Sequence, residues 1–387
     1  MPGPTPTPSA APSRSAVRLG VIGCGNVLDA YLPQAARLVA RGLAEVTLAC
    51  GRPSQRDRAL ALGALAFTSD ESELLQHPGI DAVLILASMP EHARLAAAAL
   101  RAGKHVLVEK PLATDLDDAR ALLELSRSTG RHLVCAPFTP LSPTLRALRQ
   151  RIVSGDIGKP CLARSRYGWA GPWWNEWFYQ PGGGCLLDLG IYGITSLVAL
   201  LGPVQRVTAF AGIAIPTREI NGRTVSVAAE DNAQVLLDFG NATTAVVTTG
   251  FTIQQYRSPA LEIYGTEGTL QMLGDDWDPD GYEWWQNSAG CWRTFKESHP
   301  EWSWTDGLRD LVEAIHSNRP PATDPVLALH VLEVIVKARQ SAREGRAFDI
   351  ESTFDPAVLA GTDPTRPLAG SHAAHLDHDR TREHLPT

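Results

Sequence analysis

The stretch Val17-Arg18-Leu19-Gly20-Val21-Ile22-Gly23-Cys24-Gly25-Asn26-Val27-Leu28 decides the fold. Its first six residues read as a buried strand, and a helical pattern begins directly after the two glycines and runs to Arg41-Gly42. Glycines at a strand-to-helix turn let the backbone approach a pyrophosphate at the helix N-terminus, where free N–H groups and the dipole favour an anion. Gly23, Gly25, Asn26 and Val27 are therefore candidate dinucleotide contacts, although Leu28 stands where a third glycine or alanine is usual. The next strand, Glu45 to Cys50, ends in Gly51-Arg52-Pro53-Ser54. The acidic residue that would hold the ribose 2′-hydroxyl of NAD is missing there, and a guanidinium takes its place. Arg52 suits a 2′-phosphate in bidentate geometry, so the reading favours NADP(H) over NAD(H), with Ser54 and Arg56 as helpers. The alternative is that Arg52 stacks on adenine or faces water.

Working outward, Asp81 to Ala87 is another buried strand, closing on Ser88-Met89-Pro90-Glu91-His92, and a helix from Glu91 to Ala102 follows. The run Gly103-Lys104-His105-Val106-Leu107-Val108-Glu109-Lys110-Pro111 is a short apolar strand that ends in a charged pair and a proline. Chemistry gathers at such carboxyl ends in open α/β sheets, and a lysine pinned between strand and proline has little freedom left to lose. Lys110 is the residue on which a functional reading hangs; a surface lysine or a counter-ion to Glu109 is the plainer alternative. Thr114-Asp115-Leu116-Asp117 has capping-box spacing before a helix that ends near Gly130, and His132 to Ala136 supplies one more strand. This β-α alternation predicts a doubly wound sheet.

A chain of 387 residues suggests two domains, and 44% hydrophobic with 20% charged residues is ordinary for a globular protein. The formal charge of −7 is spread out with no basic stripe, so neither nucleic acid nor an anionic membrane is an expected partner. Cys24, Cys50, Cys135, Cys161, Cys185 and Cys291 are dispersed without metal-like spacing; they read as reduced thiols of a cytoplasmic protein, and no metal is expected. Met1 to Ala16 reads as a flexible extension without signal-peptide features.

Beyond Pro137 the texture changes. A helix from Pro143 to Ser154 leads to a strand over Cys161 to Tyr167, then to Trp169, Trp173, Trp174, Trp177, Phe178 and Tyr179. Pro181-Gly182-Gly183-Gly184 precedes Cys185-Leu186-Leu187-Asp188-Leu189-Gly190-Ile191-Tyr192, a helical segment continuing to about Leu201 in which Asp188 and Tyr192, four apart, share a face. Strands follow over Val207 to Ala211, Ala233 to Phe239, Thr243 to Gly250, Ala260 to Tyr264 and Thr269 to Met272, implying a mostly antiparallel sheet. Helices over Trp304 to Ser317 and Pro325 to Glu344 are expected to close this second domain, and the tail with His372, His375, His378 and His384 reads as solvated and disordered rather than as a metal site.

The GCGN turn after VRLGVI, the phrase AGKHVLVEKPLA, the GGGCLLDLGIY segment and the YGTEGTL turn together resemble the Gfo/Idh/MocA oxidoreductase family over about Val17 to Phe354. The resemblance implies an N-terminal Rossmann domain over 17–137 and an α+β domain over 138–354 built on an open, mostly antiparallel sheet; by their composition the flanking ends, 1–16 and 355–387, read as disordered. It implies a homodimer or homotetramer through that sheet. Lys110 falls on the family's catalytic lysine, with a cis bond to Pro111, and Asp188 falls on its substrate-contacting aspartate. Ser88, Pro90, His92 and Glu109 fall beside the cofactor, although Ser88-Met89-Pro90 replaces the usual Thr-Pro-Asn. Tyr192 stands where many members have His, as in the branch similar to glucose-fructose oxidoreductase and dihydrodiol dehydrogenase.

Moving a hydride to or from a carbinol carbon requires a proton to travel to or from its oxygen, and a free phenol has a pKa of about 10. An ammonium about 4 Å away contributes about 4 kcal/mol at an effective dielectric of about 20, enough to bring Tyr192 within reach of neutral pH before desolvation acts in the opposite direction. The expected assignment is Tyr192 as acid/base, Lys110 as its electrostatic partner and a donor to the substrate oxygen, and Asp188 as the group that orients hydroxyls. Trp169, Trp173 and Trp174 are candidates to stack on a sugar ring or to form a subunit contact, whereas Trp277, Trp284, Trp285, Trp292, Trp302 and Trp304 read as core or interface. Pro137-Phe138-Thr139 replaces an Asn-Arg-Arg-like stretch, which disfavours a strongly anionic substrate. The expected activity is an NAD(P)-dependent oxidoreductase acting on a neutral sugar, polyol or cyclic diol. The alternatives are an enzyme that keeps its dinucleotide bound and recycles the hydride for glycoside cleavage, and a ligand-sensing regulator without chemistry.

Overall fold

The computed structural model describes residues 15–61, 63–297, 299, 301–356 and 375–376, the last two by backbone alone. The extension expected over 1–16 and the tail over 355–387 lie almost wholly outside the described residues. In chain order the first sheet is built by β1 (Val17–Ile22), α1 (Leu28–Ala40), β2 (Ala44–Cys50), α2 (Arg56–Ala61), β3 (Ala66–Thr68), α3 (Glu71–Gln76), β4 (Ala82–Ile85), α4 (His92–Arg101), β5 (His105–Val108), α5 (Leu116–Thr129) and β6 (Leu133–Cys135). All six strands run parallel in the order β3-β2-β1-β4-β5-β6. β4 is buried at every position, as a strand covered by helices on both faces must be. The strand order reverses between β1 and β4, so a crevice opens at their carboxyl ends.

The second half contains α6 (Pro143–Val153), β7 (Pro160–Gly168), α7 (Ile191–Leu201), β8 (Arg206–Gly212), β9 (Thr217–Ile220), β10 (Arg223–Ser226), β11 (Asn232–Asp238), β12 (Thr244–Gly250), β13 (Leu261–Gly265), β14 (Gly268–Gly274), β15 (Pro279–Gln286), β16 (Cys291–Phe295), α8 (Gly307–Ser317), α9 (Pro325–Glu344), β17 (Phe348–Asp349) and β18 (His375–Leu376). Ten strands form one sheet in the order β17-β8-β11-β12-β7-β13-β14-β15-β16-β18, in which β7 and β12 pair parallel and every other neighbour pairs antiparallel. One face packs inward: Ala233, Val235 and Leu237 of β11 are buried, while Gln234 and Leu236 between them are exposed.

Two expectations need correction, and one hairpin comes in addition to the expected elements. The cap of α5 is Asp115, whose carboxylate accepts from Asp118 N, rather than Thr114 one residue earlier. The polar hairpin β9–β10 was not anticipated, because its exposed residues lack an apolar alternation, although its Asn221-Gly222 turn (φ 50° and 74°) is a hairpin signal. Finally, α8 does not close the second sheet. Its Leu308, Leu311 and Val312 share a core with Val17, Leu19 and Leu107 of the first sheet, so a late segment of the chain returns to cover an early one. Gly307 makes this docking possible, since a Cβ there would lie 2.2 Å from the Phe138 ring. Gly307→Ala is expected to lower stability by about 1–3 kcal/mol through this overpacking, read as a fall in Tm by calorimetry; an unchanged Tm would show that α8 can shift freely.

Candidate active site

A cleft of about 1250 Å³ follows the carboxyl ends of the parallel strands and continues to the start of α7. At its first end lies the turn after β1. Gly23 has φ 99°, and a Cβ on it would meet the Leu86 and Ala87 backbone at 2.6 Å, so only glycine fits. A Cβ on Gly25 would meet nothing within 4 Å, because that position faces the open cleft. The N–H groups of Leu28, Asp29 and Ala30 bond back to the carbonyls of Gly25, Asn26 and Val27. Those of Gly25, Asn26 and Val27 have no protein partner among the described residues, which leaves three donors at a helix N-terminus for an anion.

Arg52, Pro53 and Gln55 line the cleft beyond β2, and Arg52 makes no ion pair among the described residues. Ser54, the helper expected beside Arg52, is exposed and outside the cleft lining, and the other expected helper, Arg56, sets its guanidinium 5.9 Å from the centre of the Phe67 ring. Asp70, Glu71 and Arg94 share this wall, with Arg94 paired to Glu71 at 2.5 Å. After β4, Ser88 and Met89 line the cleft but Pro90 does not. His92 is 1% exposed, and its ring nitrogens lie 2.7 Å from Pro111 O and 3.0 Å from Ala87 O. Burial pushes its pKa down while the hydrogen bonds to Pro111 O and Ala87 O push it up; a neutral ring donates to only one of these two carbonyls, and both ring nitrogens face main chain between the β4 and β5 loops.

Lys110 and Glu109 follow β5, and the Lys110–Pro111 bond is cis. Glu109 accepts a hydrogen bond from Tyr31 Oη at 2.7 Å and another from Lys110 N at 3.2 Å; its carboxylate is not the partner of the Lys110 ammonium. That ammonium instead donates to Asp188 Oδ1 and to Asp188 O, both at 2.8 Å, with the two side chains only 11% and 14% exposed. Asp188 sits in a π-helical turn, Leu186–Gly190, that runs directly into α7 and brings Tyr192 to the same wall. Lys110 Nζ is 5.4 Å from the centre of the Tyr192 ring. The structure thus brings Lys110, Asp188 and Tyr192 together from opposite halves of the chain.

The electrostatics differ from what the residue types alone imply. Burial holds the Tyr192 phenol well above its usual value, and the carboxyls of Glu109, Asp188 and Asp276 with the Tyr167 phenol push it further the same way. The ammonium expected to lower it is already paired with Asp188. Tyr192 is therefore a neutral phenol, and its hydroxyl makes no protein hydrogen bond among the described residues.

The aromatic wall also differs. Trp174 lines the cleft, joined by Asn175, Trp177 and Phe178, whereas Trp169 stacks behind Trp174 at 5.5 Å and Trp173 is 65% exposed. Trp304, expected in core or interface, also lines the cleft and lies edge-on to Tyr31 at 6.4 Å. Trp177 and Phe178 were within the aromatic run and only their facing was illegible, while Trp304 carried no local signal because α8 brings it back from far along the chain.

Residues 17–136 match the family described as oxidoreductase family, NAD-binding Rossmann fold, and residues 145–271 match the GFO/IDH/MocA C-terminal domain. The D-apiose dehydrogenase of Paraburkholderia graminis is 26% identical over 329 residues, which span 80% of this chain and 84% of that one. The trans-1,2-dihydrobenzene-1,2-diol dehydrogenase of Sus scrofa is 27% identical over 270 residues, 68% of this chain and 76% of that one. Among solved structures, levoglucosan dehydrogenase in complex with NADH and L-sorbose shares the fold with a TM-score of 0.78 at 22% identity, over 87% of this chain and 99% of that one.

A phenol whose folded-state pKa is raised adds stability that is complete below its unfolded value of about 10 and is lost as pH rises above it toward the folded value. Tm is accordingly expected to fall between about pH 9 and about pH 11, and to fall less steeply in Tyr192→Phe. Equal slopes in the two proteins would mean that Tyr192 ionises as freely folded as unfolded.

Proposed function

The chain belongs to the Gfo/Idh/MocA oxidoreductase family, and from that premise we propose that it is an NADP(H)-preferring enzyme reducing a ketone, or oxidising the matching secondary alcohol, on a neutral sugar, polyol or cyclic diol. The observation that carries the reading is the meeting of Lys110, Asp188 and Tyr192 on one wall of a cleft whose other end presents three unpartnered N–H groups. The residues fit a nicotinamide dinucleotide: Gly25 leaves open space, the turn offers an anion site, and Arg52 stands without an ion pair among the described residues where a ribose substituent is read. The bound dinucleotide supplies or accepts the hydride.

The chain's own groups handle the oxygen. Tyr192, neutral and with a free hydroxyl, gives its proton to the substrate oxygen as negative charge grows there, which suits the reductive direction. Lys110 stabilises that charge and later the phenolate, while Asp188 holds the ammonium in place and accepts from a neighbouring hydroxyl. A neutral substrate is supported because the cation at this end, Lys110, is already matched by a carboxylate. Trp174, Trp177 and Phe178 offer flat faces to the C–H surface of a ring. Relatives named for a sugar, D-apiose, and for a cyclic diol support that substrate class. We further infer self-association through the outer face of the ten-stranded sheet, supported by exposed Leu162, Phe210 and Leu236.

Isothermal titration should show tighter binding of NADP than of NAD, with Arg52→Ala weakening NADP by about tenfold and NAD much less; equal losses would remove the 2′-phosphate role. Once a turned-over substrate is found by nicotinamide absorbance across a panel of sugars and diols, Tyr192→Phe is expected to lower kcat by about 10²–10⁴-fold. A Phe variant at full rate would refute the proton-donor assignment.

A further inference from the structure

The π-helical turn that carries Asp188 is anchored from outside the cleft. Glu230, just before β11, accepts from Cys185 N through its main-chain oxygen at 2.9 Å and from Leu186 N through Oε1 at 3.3 Å. The same Oε1 accepts from Arg339 of α9, through Nε at 3.0 Å and through Nη2 at 2.6 Å. Arg339 Nη2 also donates to Gly183 O, so one guanidinium grips both the carboxylate and the glycine loop leading into the turn. Gly184, with φ 95°, sits against this pair: a Cβ there would lie 2.4 Å from Glu230 Oε1 and 2.8 Å from Arg339 Nη2. The next link is Asp188 N donating to Gly184 O at 3.1 Å, and Lys110 then closes on Asp188 from the other side. The turn is thus fixed at its start by Glu230 and Arg339 and at residue 188 by Lys110.

We propose that Arg339 and Glu230 are positioning residues for the reaction: their ion pair sets the register of the Gly183–Asp188 segment and thereby keeps Asp188 against Lys110. Neither lines the cleft, so both act through the turn. With the guanidinium gone, Gly183 O and the Glu230 carboxylate lose their shared donor, the start of the turn loosens, and Asp188 draws away from the ammonium. Lys110 is then less held and more open to reagents.

Covalent labelling tests this without turnover. In wild type, the rate at which a lysine-acylating reagent modifies each lysine is followed by peptide mass spectrometry. Lys110 should react slowly because both its acceptors are in place. Lys104, whose ammonium is bonded to His77 O and Ile80 O under the first sheet, serves as the control for general loosening. In Arg339→Met, Lys110 labelling should rise by about tenfold with Lys104 unchanged, and Arg339→Lys should fall between. Glu230→Gln, which keeps an acceptor for Leu186 N, should repeat the effect more weakly if Arg339→Met folds poorly. The kinetic arm rests on the oxidoreductase reading: kcat should drop by about 10–100-fold while dinucleotide Kd stays within about twofold. Unchanged Lys110 labelling in the folded variants, or a parallel rise at Lys104, would overturn the positioning role. Altered labelling in a protein that turns over no polyol would leave the role standing and overturn the reading of function instead.

Discussion

Everything in the site depends on one partly buried ion pair, Lys110 with Asp188, which joins the carboxyl end of β5 to the turn before α7. A pair this shielded gains little net stability over an apolar contact, because the loss of hydration offsets much of the attraction. Its value is geometric. Lys110 gives two hydrogen bonds to one residue, which sets the distance between the parallel sheet and α7 and leaves the ammonium facing the Tyr192 ring. Neighbouring groups keep the lysine in that position, since Glu109 takes hydrogen bonds from Tyr31 and the Lys110 amide, and the His92 ring ties the loop through Pro111.

With the ammonium matched by Asp188, Tyr192 faces a surplus of acidic groups. Burial raises the phenol's pKa first, and the carboxylates of Glu109 and Asp188 raise it further; Asp276 nearby is 1% exposed, and burial holds its own carboxyl well above the usual carboxylate range. Such an environment favours a tyrosine that holds its proton until an adjacent oxygen becomes basic. A phenol ionised in advance would be the wrong species here.

Much of this was legible in the residues. The glycines of the first turn, the β-α alternation and the lysine at a strand end each have a local cause, and the structure places all of them as parts of one parallel sheet and its crevice. The meeting of Lys110, Asp188 and Tyr192 was legible only through the family resemblance, because no local rule joins residue 110 to residue 188. What stayed hidden is nonlocal or depends on facing. The return of α8 to the first sheet brought Trp304 to the cleft, and Ser54 and Pro90 sit on the loops beside it without lining it. The raised pKa of the Tyr192 phenol is nonlocal for a related reason: residue types show that a cation is near, but not how deeply the phenol is buried or that a carboxylate pairs with the cation.

The central claim is that an amine from one half and a phenol from the other serve the same oxygen atom. A double-mutant cycle on kcat/KM with Lys110→Met, Tyr192→Phe and the combined variant tests it directly. If both groups act on one oxygen, the combined variant should lose about as much as the worse single variant. Losses that multiply, within about twofold, would show two groups working independently and would contradict the account.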